Sequence, residues 1–118
     1  MKEYQEHTCF YCKRGLEESH NSTKPSADHF IPWIFLKTSL VENLVFACSD
    51  CNRSKSDRLA SFNYFNKLLR RNVPESEFWN DCPVEINDIE ARIERWTRNY
   101  HQATEQLSVG WKPEEVYV

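Results

Sequence analysis

The clearest hydrophobic pattern lies in the last third of the chain. Apolar residues recur there at alternating steps of three and four, which predicts one amphipathic helix of about six turns. They are Ile86, Ile89, Ile93, Trp96, Tyr100, Ala103 and Leu107. Asn87 and Glu90 could form its capping box, or the helix begins nearer Val84. We expect its apolar face to pack in the core, and a partner-binding face is the alternative.

A second helical pattern precedes it. Apolar residues at helical spacing predict a helix over residues 59–71, ended by Asn72-Val73-Pro74 because proline disfavours helix in the residue before it. Another helix is expected to begin at the second cysteine pair, with Ser49 or Asp50 as its cap, and to break near Ser56. The 59–71 helix should pack on the C-terminal helix, with Trp79 and Trp111 closing the ends.

The first half of the chain favours short extended segments. Residues 27–33 and 43–47 predict two short strands. Residues 5–20 predict a hairpin that turns at Lys13-Arg14-Gly15. The chain of 118 residues is near the most common domain size. We therefore expect one α+β domain, with residues 1–72 as its core and residues 73–118 as a helical extension packed on that core.

Composition and charge narrow the class of protein. No apolar run approaches the ~18 to 20 residues that span a bilayer, and the first twenty residues carry no signal-peptide pattern, so we expect a cytoplasmic protein without a membrane partner. Residues 1–72 hold 11 basic against 8 acidic side chains, and residues 73–118 hold 4 against 10. The basic stretch from Arg53 to Arg71 could hold a polyanion, although a solvated helix face also explains such a run.

The spacing of the cysteines indicates a metal site. Cys9 and Cys12 form one C-x-x-C pair, Cys48 and Cys51 form another, and Cys82 stands alone. Two such pairs complete the tetrahedral shell of a structural zinc ion. A redox C-x-x-C is the alternative, but the βαβ pattern of a thioredoxin-like fold is missing from the sequence. A four-cysteine site leaves no position for water or substrate, so any catalysis must occur elsewhere.

Polar motifs between and after the cysteine pairs identify a family resemblance. The sequence reads Asp28-His29-Phe30-Ile31-Pro32, then Asn43-Leu44, then Asn52 and Lys55 directly after Cys51. The order C-x-x-C, D-H-x-x-P, N-L and C-x-x-C-N-x-x-K over residues 7–58 closely resembles the HNH endonucleases. The resemblance implies a small zinc-stapled, treble-clef-like ββα-metal core, here followed by two or more packed helices.

The resemblance also implies catalytic roles. Asp28 would ligate a divalent cation and His29 would act as general base, since imidazole can accept a proton near neutral pH. Asn43 would orient His29. Asn52, where many relatives have histidine, would be a second cation ligand, and its hard amide oxygen suits Mg²⁺ or Mn²⁺. Neighbours in a strand face opposite sides, so Asp28 and His29 share one cleft only near a strand end or a distortion.

Other side chains receive secondary roles. Lys55, one helical turn after Asn52, is expected to hold the phosphate backbone together with Arg53 and Arg58. Three histidines lack such a context and are expected on the surface, namely His7, His20 and His101. His7 could also touch the zinc site. Cys82 is expected to be a small buried hydrophobic residue near the long helix.

Three functional hypotheses follow. The first is an HNH endonuclease that cuts DNA rather than RNA in bacterial or phage restriction, defence or mobile-element processing. The second is a non-catalytic zinc module that binds nucleic acid or protein, which would not need a base beside a metal ligand. The third is a catalytic fragment of a larger targeting protein. A homodimer through the long helix would convert two nicks into a double-strand break.

Overall fold

The protein has a small α+β fold, as predicted. The computed structural model describes residues 7–82 and 86–114, with the side chains of residues 86 and 87 excepted. The described strands are β1 (Pro25–His29), β2 (Leu44–Cys48), β3 (Leu59–Ala60) and β4 (Val109–Trp111), and the described helices are α1 (Trp33–Leu36), α2 (Ser49–Lys55), α3 (Phe62–Asn72) and α4 (Ile86–Gln106). Two 3₁₀ turns span Val41–Asn43 and Glu77–Asp81.

The ββα unit consists of β1, β2 and α2. β1 and β2 pair in antiparallel fashion, with Asp28 opposite Val45 and His29 opposite Leu44. The first strand spans Pro25–His29 and ends before the predicted range of 27–33 does, because Pro32 is the N-cap of α1 and its carbonyl accepts the N–H of Phe35. The second strand begins after the 3₁₀ turn. The end of β1 therefore lies directly before the α1 segment.

The cap predicted for α2 was wrong by one residue. The helix begins at Ser49, and its N-cap is Cys48, whose sulfur accepts the backbone N–H of Cys51 at 3.4 Å. A sulfur can fill this position because the first turn of a helix leaves N–H groups without a partner inside the helix. The predicted break near Ser56 is confirmed, since Ser56 has a positive φ of 49°.

The helix predicted over residues 59–71 is shorter than expected. Leu59 and Ala60 form β3, which pairs in parallel with β4, and α3 begins only at Phe62. The Leu59 N–H donates to the Ser108 carbonyl at 2.8 Å. The partner strand lies about 50 residues away in sequence, so a local hydrophobic pattern could not reveal this pairing.

The long C-terminal helix is confirmed as α4. Asn87 is not its cap, because the helix already includes Ile86, and the alternative start near Val84 lies outside the described residues. Trp96, Tyr100 and Ala103 on α4 are buried in the main core. No described helix has both the length and the apolar character that a membrane crossing requires.

Two hydrophobic clusters fill the interior. In the main cluster, the Phe65 ring on α3 stacks at 4.1 Å on Tyr100 and at 5.2 Å on Trp96, measured between centroids. Trp111 is buried in the same cluster. The smaller cluster contains Phe78, Trp79 and Ile89. Cys82 packs against it near the long helix, as expected, but is only partly buried instead of buried. The two tryptophans predicted to close the ends therefore lie in different clusters.

We expect Phe65→Ala to destabilise the protein by about 3–5 kcal/mol, because it removes a buried ring between α3 and α4 and leaves a cavity. Phe62 on the same helix is 56% exposed, and Phe62→Ala should cost less than about 1 kcal/mol. Urea denaturation of the two variants measures the difference. Equal losses of stability would contradict the packing of α4 on α3 through Phe65.

Candidate metal centre and active site

Four cysteine sulfurs converge beside the start of α2. The Sγ atoms of Cys9, Cys12, Cys48 and Cys51 all lie within 4.8 Å of one another, and those of Cys12 and Cys48 are 3.8 Å apart. A tetrahedral zinc ion with Zn–S bonds of about 2.3 Å holds its sulfurs about 3.8 Å apart. The four side chains therefore fit such an ion, and the predicted clustering for metal binding is confirmed.

Both cysteine pairs use the same local geometry. The backbone N–H of Cys12 points to the Cys9 sulfur at 3.5 Å, and the N–H of Cys51 points to the Cys48 sulfur at 3.4 Å. Hydrogen bonds to a charged acceptor stabilise its charged form. Each C-x-x-C turn thus favours the thiolate that a metal ion requires.

The first cysteine turn is tighter than the predicted hairpin. Among the described residues of the 5–20 segment, a single bridge joins Thr8 and Gly15 instead of two strands. Lys13 adopts a positive φ of 67°, and its N–H donates to the Cys9 carbonyl at 3.0 Å. His7 is exposed, and the metal cluster found among the described residues consists of cysteines alone.

Arg14 places a positive charge beside the sulfur cluster. Its Nε donates to the Cys12 sulfur at 3.4 Å and its Nη2 to the Cys48 sulfur at 3.2 Å, while Asp50 accepts from the same guanidinium at 3.3 Å. Burial raises the pKa of Cys48, and the bond from Arg14 opposes that rise. The guanidinium therefore offsets part of the negative charge that a four-thiolate site accumulates.

Cys9 and Cys51 are coupled through a hydrogen bond between their side chains. This bond lowers the pKa of Cys9 to about 4 and raises the pKa of Cys51. Metal binding requires both sulfurs as thiolates, so a metal ion would replace this hydrogen bond.

A separate cavity of about 330 Å³ lies where β1 ends beside α2. Its lining residues are Ala27, Asp28, His29, Pro32, Trp33, Asn52, Ser56 and Asp57. Three of the four predicted catalytic residues thus line one cavity. Asp28 and His29 reach it together because His29 is the last residue of β1, where the alternation of strand faces ends.

Asp28 is the buried carboxylate of this cavity. Its exposure is 5%, its Oδ2 accepts the Tyr11 hydroxyl at 2.5 Å, and the same oxygen lies 3.4 Å from Lys55 Nζ. Burial raises the pKa of Asp28, and the charge of Lys55 opposes that rise. Among the described residues both contacts use Oδ2, which leaves Oδ1 as the oxygen that could ligate a cation.

His29 is half-buried at the mouth of the same cavity. Its Nε2 lies 2.9 Å from the Ser39 hydroxyl in the loop before the 3₁₀ turn. This contact defines the orientation of the ring and occupies one of its two nitrogens. The second nitrogen, Nδ1, is then the one that could exchange a proton with a bound water.

Comparison with known proteins agrees with this arrangement. Residues 9–58 match the model of the HNH endonuclease family. The chain is therefore similar to this family over less than half of its length, and residues 9–58 are called the HNH segment below. No curated protein matches the chain significantly. The matched residues include both cysteine pairs and every cavity residue named above, and the predicted ββα-metal core is confirmed.

The side chain of Asn43 in the HNH segment bonds to the backbone that follows His29. Its side chain is fully buried, its Oδ1 accepts the Ile31 N–H at 2.8 Å, and its Nδ2 donates to the Ile31 carbonyl at 2.9 Å. The backbone carbonyl of Asn43 also accepts the Phe30 N–H. Asn43 thus holds the two residues that follow His29, and the predicted role of Asn43 in orienting His29 stays a prediction.

Residues outside the matched segment hold the 3₁₀ turn that carries Asn43. From α4, the Trp96 indole N–H donates to Asn43 Oδ1 at 2.9 Å, and the Arg92 guanidinium pairs with the buried Glu42 carboxylate at 2.7 Å. From α3, Arg71 donates to the Leu44 carbonyl at 2.7 Å. The C-terminal helices therefore support the turn that fixes the end of β1.

The phosphate-binding role predicted for Lys55 disagrees with its position. The side chain is 0% exposed, and Nζ donates to the His29 carbonyl at 3.1 Å besides its ion pair with Asp28. Burial lowers the pKa of Lys55, and Asp28 opposes that change. An ammonium group enclosed in this way cannot reach a phosphate at the surface, so Lys55 instead compensates the charge of Asp28.

The two predicted arginines lie near the surface of α2 and the segment after it. Arg53 is exposed and pairs with Asp50 at 3.0 Å. Arg58 donates to the Ser54 carbonyl. The cavity residues named above include neither arginine. Phosphate binding by these side chains stays a prediction.

The sequence motifs missed four side chains of the two sites. Arg14 was assigned only to a turn, and Tyr11 and Ser39 had no recognisable pattern. Asp57 could have been noticed, because it is the sole acidic residue in the basic stretch from Arg53 to Arg71 and it lines the cavity.

We expect one zinc ion per chain, and we expect Cys51→Ser to lose that zinc and its cooperative thermal transition, because metal binding contributes directly to folding. Cys82 lies outside the sulfur cluster, so Cys82→Ser should retain the zinc. Metal analysis and circular dichroism measure both effects. A chelator-treated wild type that still melts cooperatively at the original temperature would contradict a structural role.

We expect Arg92→Met to destabilise the protein by about 3 kcal/mol, because it leaves the Glu42 carboxylate, whose side chain is 2% exposed, without its partner. The double variant Arg92→Met/Glu42→Gln should lose less. Arg95 is exposed on the same helix, and Arg95→Met serves as the control. Additive losses in the double variant, measured by denaturation, would show that the pair is not coupled.

Proposed function

We propose that this protein is a metal-dependent HNH endonuclease that hydrolyses phosphodiester bonds of DNA. The observation that carries the proposal is the meeting of Asp28, His29 and Asn52 in one cavity of the HNH segment. A carboxylate, an imidazole and an amide at one opening combine a proton acceptor with two oxygen ligands for a hard cation. We infer DNA and a role in bacterial or phage restriction, defence or mobile-element processing from the family resemblance.

His29 is the general base in this proposal. With Nε2 directed to the Ser39 hydroxyl, Nδ1 accepts a proton from a water molecule in the cavity. The water oxygen forms a bond to phosphorus, and the bond from phosphorus to the 3′ oxygen breaks. The products are a 5′-phosphate and a 3′-hydroxyl, and the departing 3′ oxygen takes up a proton from solvent.

Asp28 and Asn52 would hold the catalytic cation, Mg²⁺ or Mn²⁺. A cation bound there would stabilise negative charge on the phosphate oxygens and on the leaving oxygen. Mg²⁺ needs only one or two protein ligands when phosphate and water supply the others. Burial raises the pKa of Asp28, and the ammonium of Lys55 opposes that rise because it favours the carboxylate form.

The ion pair between Asp28 and Lys55 also favours a second candidate. A carboxylate whose charge is already neutralised is a weaker ligand for a cation. Such a carboxylate is compatible with a zinc module that binds nucleic acid without cutting it. The two candidates differ in one outcome: the endonuclease cleaves a phosphodiester in Mg²⁺ or Mn²⁺, and the non-catalytic module does not.

We expect His29→Ala to reduce cleavage of plasmid or oligonucleotide DNA by at least about 100-fold, because a general base contributes roughly 10²–10⁴ in rate. Zinc content and thermal stability should not change. His20 is exposed and pairs only with Glu17 among the described residues, so His20→Ala is the matched control. Undiminished cutting by His29→Ala rejects the proposed base, and a wild type inert in both metals supports the non-catalytic candidate.

A further inference from the structure

Trp33 differs from the other tryptophans of the chain in its exposure. It is 52% exposed, whereas Trp79, Trp96 and Trp111 are 6%, 1% and 1% exposed. Single exposed apolar residues are common and carry no meaning by themselves. The position of Trp33 gives it meaning, because its side chain lines the cavity that contains His29.

The backbone that carries Trp33 is held firmly. Asn43 bonds both the N–H and the carbonyl of Ile31, two residues before Trp33. The carbonyl of Trp33 itself accepts the N–H of Lys37 at 2.6 Å, which closes α1. The indole ring thus belongs to a preorganised rim, so a ligand that contacts it need not order a loop.

The chemistry around the ring restricts what can cover it. The exposed apolar residues of this rim are Trp33 and Ile34. The exposed polar residues Lys37, Thr38 and Ser39 come after the partly buried Phe35 and Leu36. A protein interface usually needs about 800 Å² per partner, and two apolar side chains supply much less than that. The exposed area instead matches that of one flat ring of a ligand. A nucleotide combines such a ring with a phosphate, as the rim combines an indole with a polar cavity.

We propose that Trp33 stacks on an unpaired nucleobase next to the scissile phosphate, so that the preferred substrate is single-stranded or locally unpaired nucleic acid. This inference rests on the proposed function, because it places the phosphate in the cavity beside His29. Bases in a duplex already stack on both faces, whereas an unpaired base has a free face for an aromatic side chain. Stacking tolerates any base, so no sequence preference is expected from Trp33.

Binding without turnover tests the proposal separately from catalysis. The zinc-loaded full-length His29→Ala protein is titrated, without added Mg²⁺ or Mn²⁺, with a labelled single-stranded deoxyoligonucleotide and with the blunt-ended duplex of that strand and its complement. Trp33→Ala in this background should weaken single-strand binding by about 5- to 150-fold, the range found for loss of one base stack. Duplex binding should change by less than about twofold.

Two further variants make the result specific. Ile34 is 54% exposed beside Trp33, and Ile34→Ala should weaken binding by less than about twofold. Trp33→Phe keeps an aromatic face and should retain most of the affinity, while the quenching of tryptophan fluorescence by the single strand should disappear, because the remaining indoles are buried. All these side chains are exposed at the surface, so the variants should keep wild-type zinc content and melting temperature.

Several outcomes would overturn the stacking role. One is that Trp33→Ala and its parent bind the single strand with equal affinity. Another is that Trp33→Ala loses as much affinity for the duplex as for the single strand. A third is that Ile34→Ala weakens single-strand binding as much as Trp33→Ala does. A parent protein that binds neither oligonucleotide would reject both this inference and the proposed function. A wild type that cuts DNA while Trp33→Ala binds normally would reject only the stacking role.

Discussion

The sulfur cluster joins two parts of the chain that are distant in sequence. Cys9 and Cys12 lie in the N-terminal turn, while Cys48 and Cys51 lie at the junction of β2 and α2. Four bonds from these sulfurs to one metal ion would add directly to the folding free energy of the domain. The position of Tyr11 follows from the first turn, and its hydroxyl reaches Asp28. The first cysteine turn thus contacts, through Tyr11, the carboxylate that lines the neighbouring cavity.

Charge compensation occurs at both centres, the sulfur cluster and the cavity. Arg14 lies against two of the sulfurs, and Lys55 lies against Asp28. Burial opposes the charged forms of Asp28 and Lys55, and each opposes that effect in the other. Removal of either partner would leave an uncompensated buried charge, which is costly. The lysine of the C-x-x-C-N-x-x-K motif therefore has a structural role, which is to compensate the charge of Asp28, and this role does not depend on the substrate.

The C-terminal helices contribute to the HNH segment beyond covering its core. Arg71 on α3 and both Arg92 and Trp96 on α4 contact the turn that contains Glu42 and Asn43. That turn holds Ile31, which lies between His29 and Trp33. The residues after the matched segment thus support the geometry of the cavity through two successive sets of hydrogen bonds.

The sequence by itself determined the four-cysteine cluster, the HNH resemblance and the long helix, because ligand spacing and helical periodicity are local properties of the chain. It also brought Asp28, His29 and Asn52 to attention, and these three residues do line one cavity. The roles of Lys55 and Asn43 were decided by burial and by partners far away in sequence. The same holds for β3, whose partner strand lies about 50 residues later. Tertiary structure alone decides these features, because whether a side chain faces solvent, a backbone carbonyl or an opposite charge depends on which distant segments pack beside it.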